Sequence, residues 1–119
     1  MNKDSRIYIA GHTGQIGYGL AKKLQSDGYE NIILRTHDSL DLLNQKSVWD
    51  FFKKEKPEYV FYCAGVLGSI DYFVHERTAV IYNNLIMQAN VIHSAVKNNV
   101  KKLLYVGSGS VYGSHASPP

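Results

Sequence analysis

One cysteine, Cys63, is all the chain carries, so no disulfide can form within it and a reducing cytosol suits it. No apolar run approaches the length of a membrane helix. The N-terminal MNKDSR is polar, and the apolar stretch after it is too short for the core of a secretion signal. Basic residues are scattered: the formal net charge is +3, and no basic stripe interleaved with aromatics points to nucleic acid. Lys22-Lys23, Lys53-Lys54 and Lys101-Lys102 read as solvated helix faces and helix ends. Internal repeats, linkers and low-complexity tracts are missing too, and no metal site is expected. These absences predict a soluble cytoplasmic chain without nucleic-acid or membrane partners.

What is present suffices for a packed core. The 119 residues are 45% hydrophobic and 19% charged, too apolar for a disordered chain. They make one domain, residues 1–119, of a size that buries roughly two-thirds of its unfolded surface.

"RIYIA" (6–10) predicts a buried strand ended by Gly11. Residues 14–27 follow with Ile16, Leu20 and Leu24 at helical spacing, and Gly28 sits where a helix C-terminal glycine belongs. "NIILR" (31–35) predicts a second strand; after an irregular 38–44, Ser47 is placed to cap a helix carrying Val48, Phe51 and Phe52. Pro57 ends that helix, because proline forces its predecessor out of the helical region. "YVFYCA" (59–64) is unbroken in its apolar character and predicts a third strand covered on both faces. A glycine-bearing loop leads to a long helical pattern over roughly 72–98, one side marked by Ile81, Leu85, Ile92 and Val96, and "KLLYVG" (102–107) is the fourth strand. The alternation is that of an α/β, three-layer, Rossmann-type doubly wound parallel sheet, with the expected strand order 3-2-1-4.

Between the first strand and the first helix stand Gly11, Gly14 and Gly17, spaced G-x-x-G-x-x-G. A dinucleotide pyrophosphate needs backbone N–H groups at a helix N-terminus and no Cβ atoms in the way, and the strand–loop–helix setting is the one that motif requires. Gly11 makes the turn out of the strand, Gly14 admits phosphate and Gly17 permits close helix-to-sheet contact. Thr13, Gln15 and Ile16 complete the loop, and Gly19, outside the spacing, is expected to be a helix packing position. At the tip of the second strand an acid would accept hydrogen bonds from a ribose diol. "ILRTHDS" has none; Arg35 stands there with His37 beyond, which favours NADP over NAD. Asp41 is placed either to meet an adenine amino group or to cap its own loop.

"IAGHTGQIG", "LRTHDSLDLLN", "VWDFFKKEKPEYVFYCAG", "NNLIMQANVIHSAVKNNVKKLLYVGS" and "SVYG" resemble the extended short-chain dehydrogenase/reductases, the NAD-dependent epimerase/dehydratases, and within them the GDP-L-fucose synthase family. The likeness covers all 119 residues but only the cofactor half of that family's chain. It implies NADPH and a nucleoside-diphosphate 4-keto-6-deoxy sugar that is epimerised and then reduced. By position it puts Gly11, Gly14 and Gly17 on the pyrophosphate, Arg35 and His37 beside the 2′-phosphate, and Asp41 and Leu42 by adenine. Ala64, Gly65 and Val66 follow the third strand near the ribose; Asn84 braces the active-site strands, and Ser108 hydrogen-bonds the reacting sugar oxygen.

Three departures shape the expectation. Thr13 and His37 replace arginines frequent in the relatives. Ser110 replaces an acid/base cysteine, and a hydroxyl titrates far above neutrality. The Tyr-x-x-x-Lys pair that completes such sites is expected on a later helix; the one Y-x-x-x-K present, Tyr18 to Lys22, lies on the helix after the glycine loop, away from the reacting end. The residues by themselves are therefore expected to bind cofactor without turning over. They are expected to associate, as a homodimer or with a partner chain carrying the missing half, through the apolar edge of the fourth strand. A non-catalytic dinucleotide-binding module, one part of a split enzyme, and a structural domain with a relic loop remain alternatives.

Overall fold

The computed structural model describes residues 1–66 and 75–108. Among these residues four strands, β1 (Ile7–Ala10), β2 (Ile32–Leu34), β3 (Tyr59–Tyr62) and β4 (Lys102–Tyr105), alternate with three helices, α1 (Gln15–Ser26), α2 (Gln45–Glu55) and α3 (Arg77–Lys97). All strand pairs are parallel, with Ile7 opposite Ile32 and Tyr59, and Tyr59 opposite Lys102.

β1 is buried on both faces, and its side chains divide the core. Ile7 and Ile9 pack with Ala21 and Leu24 of α1. Tyr8 and Ala10 point the other way, into a larger cluster with Val48, Phe51 and Phe52 of α2 and Met87, Val91 and Ala95 of α3. The Tyr8 ring lies 4.6 Å from Phe51 and 6.0 Å from Phe52, centroid to centroid. Burial of a side chain such as Phe52 stabilises by about 1.5–3 kcal/mol.

The strand order is β2-β1-β3-β4, which corrects the expected 3-2-1-4. A right-handed crossover moves the chain one way when its helix covers one face and the opposite way when it covers the other. Because Phe51 and Phe52 seat α2 on the face opposite α1, the second crossover runs back over β1 and sets β3 beside it. The order reverses between β1 and β3, and the crevice at the C-terminal ends of these two strands is where open α/β sheets bind ligands.

Helix ends follow local chemistry. Gly28, at φ +80, donates to the Gln25 carbonyl while Tyr29 donates to Leu24, both at 3.0 Å, closing α1 in a Schellman motif. Asn99, at φ +57, ends α3 the same way, with Val100 donating to Ala95 at 3.0 Å. α2 is capped by Asn44, whose Oδ1 accepts the Ser47 N–H at 2.9 Å, so Ser47 is the capped residue rather than the cap. Lys56, before Pro57, leaves the helix at φ 46.

Two further expectations are corrected. The α3 side marked by Ile81, Leu85, Ile92 and Val96 faces solvent; the buried side is Val80, Met87, Asn90, Val91, Ser94 and Ala95. β3 is fully buried on one face only, that of Val60 and Tyr62, with Tyr59 and Phe61 half-buried on the other, and Leu104 and Tyr105 of the edge strand β4 are exposed. Apolar runs report the strands' composition and not the neighbours available to cover them.

Candidate dinucleotide site

The β1–α1 loop is pressed against the exit of β3. Gly11 leaves β1 at φ +82, and a Cβ there would lie 2.7 Å from the Cα and N of Ala64. Gly17 is buried in the first turn of α1, where a Cβ would come within 2.2 Å of the Gly11 carbonyl oxygen. Side chains are thus excluded at both positions by backbone contact. Gly14 differs. It is the N-cap of α1, its N–H donates to the Gly11 carbonyl at 3.1 Å, and a Cβ would touch only that oxygen at 3.4 Å. Gly19, expected to pack, has nothing within 4 Å of the place a Cβ would take and needs no glycine on steric grounds.

Among the described residues no side chain caps α1, and no acid stands in its first turn to meet the first N–H groups or the positive end of the helix dipole. Nδ1 of His12, in the same loop, is buried without a hydrogen-bond partner among the described residues. These features fit a pyrophosphate in the loop.

A cavity of about 320 Å³ opens beside it. Of the residues singled out from the sequence, Gly11, Thr13, Gly14, Arg35, His37, Leu42, Ala64, Gly65 and Val66 line it together. Gln15, Ile16, Gly17, Asp41, Asn84 and Ser108 are not lining residues. Ile16 is exposed, and Gly17 serves packing. Asp41 accepts the Leu43 N–H through Oδ1 at 2.9 Å, the loop-capping alternative, and His37 lies 3.9 Å from the same oxygen with its side chain largely in solvent. Asn84 clamps Val66: Oδ1 accepts the Val66 N–H at 2.8 Å, and Nδ2 donates to the Val66 carbonyl at 3.2 Å and to Val80 of its own helix at 2.9 Å. Ser108 is exposed beyond β4, and Ser110 falls outside the described residues.

Arg35 supplies the cavity's fixed charge. Its Nη2 donates to Oε1 of Glu55 at 2.7 Å, Nη1 donates to the Leu34 carbonyl at 2.9 Å, and its guanidinium carbon sits 5.7 Å above the Phe51 ring. Burial pushes the Cys63 thiol up, which keeps it protonated and a weak nucleophile. Burial, with Tyr62 nearby, likewise raises the Tyr8 phenol far above its ordinary range.

Comparison with known proteins agrees with this geometry. Residues 7–119 match the model of the NAD dependent epimerase/dehydratase family. The chain belongs to that family. GDP-L-fucose synthase 1 of Arabidopsis thaliana is 42% identical over 118 residues, 99% of this chain and 36% of that protein. A GDP-mannoheptose C4 reductase from Campylobacter jejuni, solved with NADP bound, superposes with a TM-score of 0.95 at 48% identity, covering 100% of this chain and 38% of that one. A GDP-6-OMe-4-keto-L-xylo-heptose reductase from C. jejuni gives 0.93 at 48% identity, covering 100% and 34%. The chain therefore spans about a third of the length of these relatives.

In this epimerase/dehydratase chain, sequence reasoning missed Tyr8, Leu40, Leu43, Cys63 and Met87 among the lining residues. All but Cys63 also read as ordinary core or loop residues. It also missed Asn90, which is buried and donates through Nδ2 to the Leu42 and Leu43 carbonyls at 2.9 and 3.2 Å, pinning the loop on the β2 side of the cavity. A polar residue amid the buried face of α3 was the available signal.

Proposed function

We propose that these residues are the cofactor-holding part of a nucleotide-sugar reductase that prefers NADP to NAD and acts on a GDP-linked 4-keto sugar. The observation that carries the reading is Gly14. Gly11 and Gly17 are glycine because the protein's own backbone leaves no room, whereas at Gly14 the space beyond Cα is cavity, and glycine there serves a ligand.

The residues divide the work by chemistry. Gly11, Gly14 and the first N–H groups of α1 would hold the pyrophosphate. Arg35, with Thr13 and His37 nearby, would meet the 2′-phosphate; Leu40, Leu42 and Leu43 offer an apolar wall for adenine; Ala64–Val66, held by Asn84, would flank the ribose. NADPH, when bound, supplies a hydride. Ser108 would donate to the sugar oxygen from the segment after β4.

Reduction is favoured over epimerisation because Ser110 offers a hydroxyl in place of the acid/base cysteine of the fucose synthases, and two of the C. jejuni relatives at 48% identity are named as reductases, a third as a synthase. Tyr18 and Lys22 cannot serve as the Tyr-x-x-x-Lys pair of such sites. They lie on the outer surface of α1, with Tyr18 exposed and the Lys22 ammonium 4.9 Å over its ring. Exposed Leu104 and Tyr105 favour association through the β4 edge, with a second copy or with the completing half.

The test is complementation. The 119-residue chain is expected to bind NADPH without reducing a GDP-4-keto sugar, and to gain ketone reduction when a C-terminal fragment bearing Tyr-x-x-x-Lys is added. Binding that is never converted to turnover by such a fragment would favour the non-catalytic module.

A further inference from the structure

Arg35 does not face the cavity as a free cation. Glu55, at the C-terminal end of α2, accepts Nη2 of Arg35 through Oε1 at 2.7 Å and Nη2 of Arg6 through Oε2 at 3.1 Å. The carboxylate is the more enclosed member, its side chain 18% exposed against 35% for Arg35 and 46% for Arg6. Glu55 is not a lining residue, so it reaches the ligand only through Arg35. Arg6 stands at the start of β1, the opposite end of that strand from the glycine loop.

Three charges thus form one chain, Arg6–Glu55–Arg35, in which the carboxylate 2.7 Å from Nη2 of Arg35 offsets much of that guanidinium's short-range field and is itself partly offset by Arg6 on its other oxygen. A 2′-phosphate dianion approaching Arg35 meets this reduced field and competes with Glu55 for the same N–H groups. A ribose bearing only hydroxyls loses little by the same arrangement. We infer that Glu55 is a positioning and specificity-determining residue of the dinucleotide site: it orients the Arg35 guanidinium over Phe51 and moderates the preference for a 2′-phosphate, with Arg6 as the remote counterweight. The inference rests on the dinucleotide reading above.

Glu55→Gln keeps an oxygen to accept from Arg35 and removes the charge. Titrating the 119-residue chain with NADPH and NADH, we expect this variant to bind NADPH about three- to tenfold more tightly while NADH is little changed, the gain shrinking as salt rises. Arg6→Met removes the counterweight and is expected to move the ratio the other way, weakening NADPH, although its side chain does not line the cavity. A merely structural role for Glu55 would alter both dinucleotides together. Wild-type chain that binds neither dinucleotide overturns the dinucleotide reading and this inference with it. Binding by the wild type with an NADPH/NADH ratio unmoved or lowered in Glu55→Gln, or unmoved in Arg6→Met, overturns the inference alone.

Discussion

Asn84 grips the Val66 peptide from both sides, accepting its N–H at 2.8 Å and donating to its carbonyl at 3.2 Å. This clamp from α3 fixes the backbone just past β3, where Ala64 and Gly65 border the cavity. Asn84→Ala should lower stability by about 1–3 kcal/mol in urea denaturation, since polar backbone groups lose their partners. It should also weaken NADPH binding in titration. A variant of unchanged stability and affinity would show the clamp to be idle.

Tyr62 carries its own prediction. Its ring is buried and stacked on Tyr105 at 5.4 Å, and its hydroxyl has no partner among the described residues. Tyr62→Phe should therefore stabilise the fold by about 1 kcal/mol in denaturant melts. Burial pushes the phenol up to about 12 from 10.0, so the folded state holds its proton where the unfolded state has released it. The stability linked to that proton is complete below pH 10 and lost between pH 10 and about 12. Tyrosinate absorbance should appear together with the loss of circular dichroism, and Tyr62→Phe should flatten that part of the pH profile.

Arg35→Gln removes the cation proposed to meet a 2′-phosphate and leaves Glu55 paired with Arg6. NADPH affinity should fall about tenfold, with NADH changed by less than about twofold, in parallel titrations. Equal loss of both would assign Arg35 to packing over Phe51.

Leu104 and Tyr105 expose apolar surface, at 45% and 46%, on the two faces of β4, which is an edge strand among the described residues. Association through this edge predicts concentration-dependent sedimentation, suppressed by Leu104→Lys, because an inward or edge charge opposes strand addition. A monomer at all concentrations would contradict it.

The legible part of this fold was what depends on near neighbours in sequence. Gly28 closes α1 through its own turn, and the glycine spacing marked a strand–loop–helix junction. The strand order was not legible, since it turns on which sheet face Phe51 and Phe52 choose, a contact with Tyr8 far away along the chain. The same limit hid Asn90 and Glu55, whose partners lie 48 and 20 positions off. Exposure of Ile81 and Leu85 depends on what packs outside α3, and helical spacing alone cannot report it. Asp41 was legible as two alternatives, and the bond to Leu43 favours the loop cap.

The central claim, a dinucleotide cradle at Gly14, is tested most directly by Gly14→Val. A Cβ at that position meets only the Gly11 carbonyl oxygen, at 3.4 Å, so the variant should fold with a circular dichroism spectrum and melting behaviour close to wild type. Its branched side chain would occupy the space in front of the α1 N-terminus, and NADPH binding by isothermal titration should be abolished. Wild-type affinity in a folded Gly14→Val chain would contradict the account.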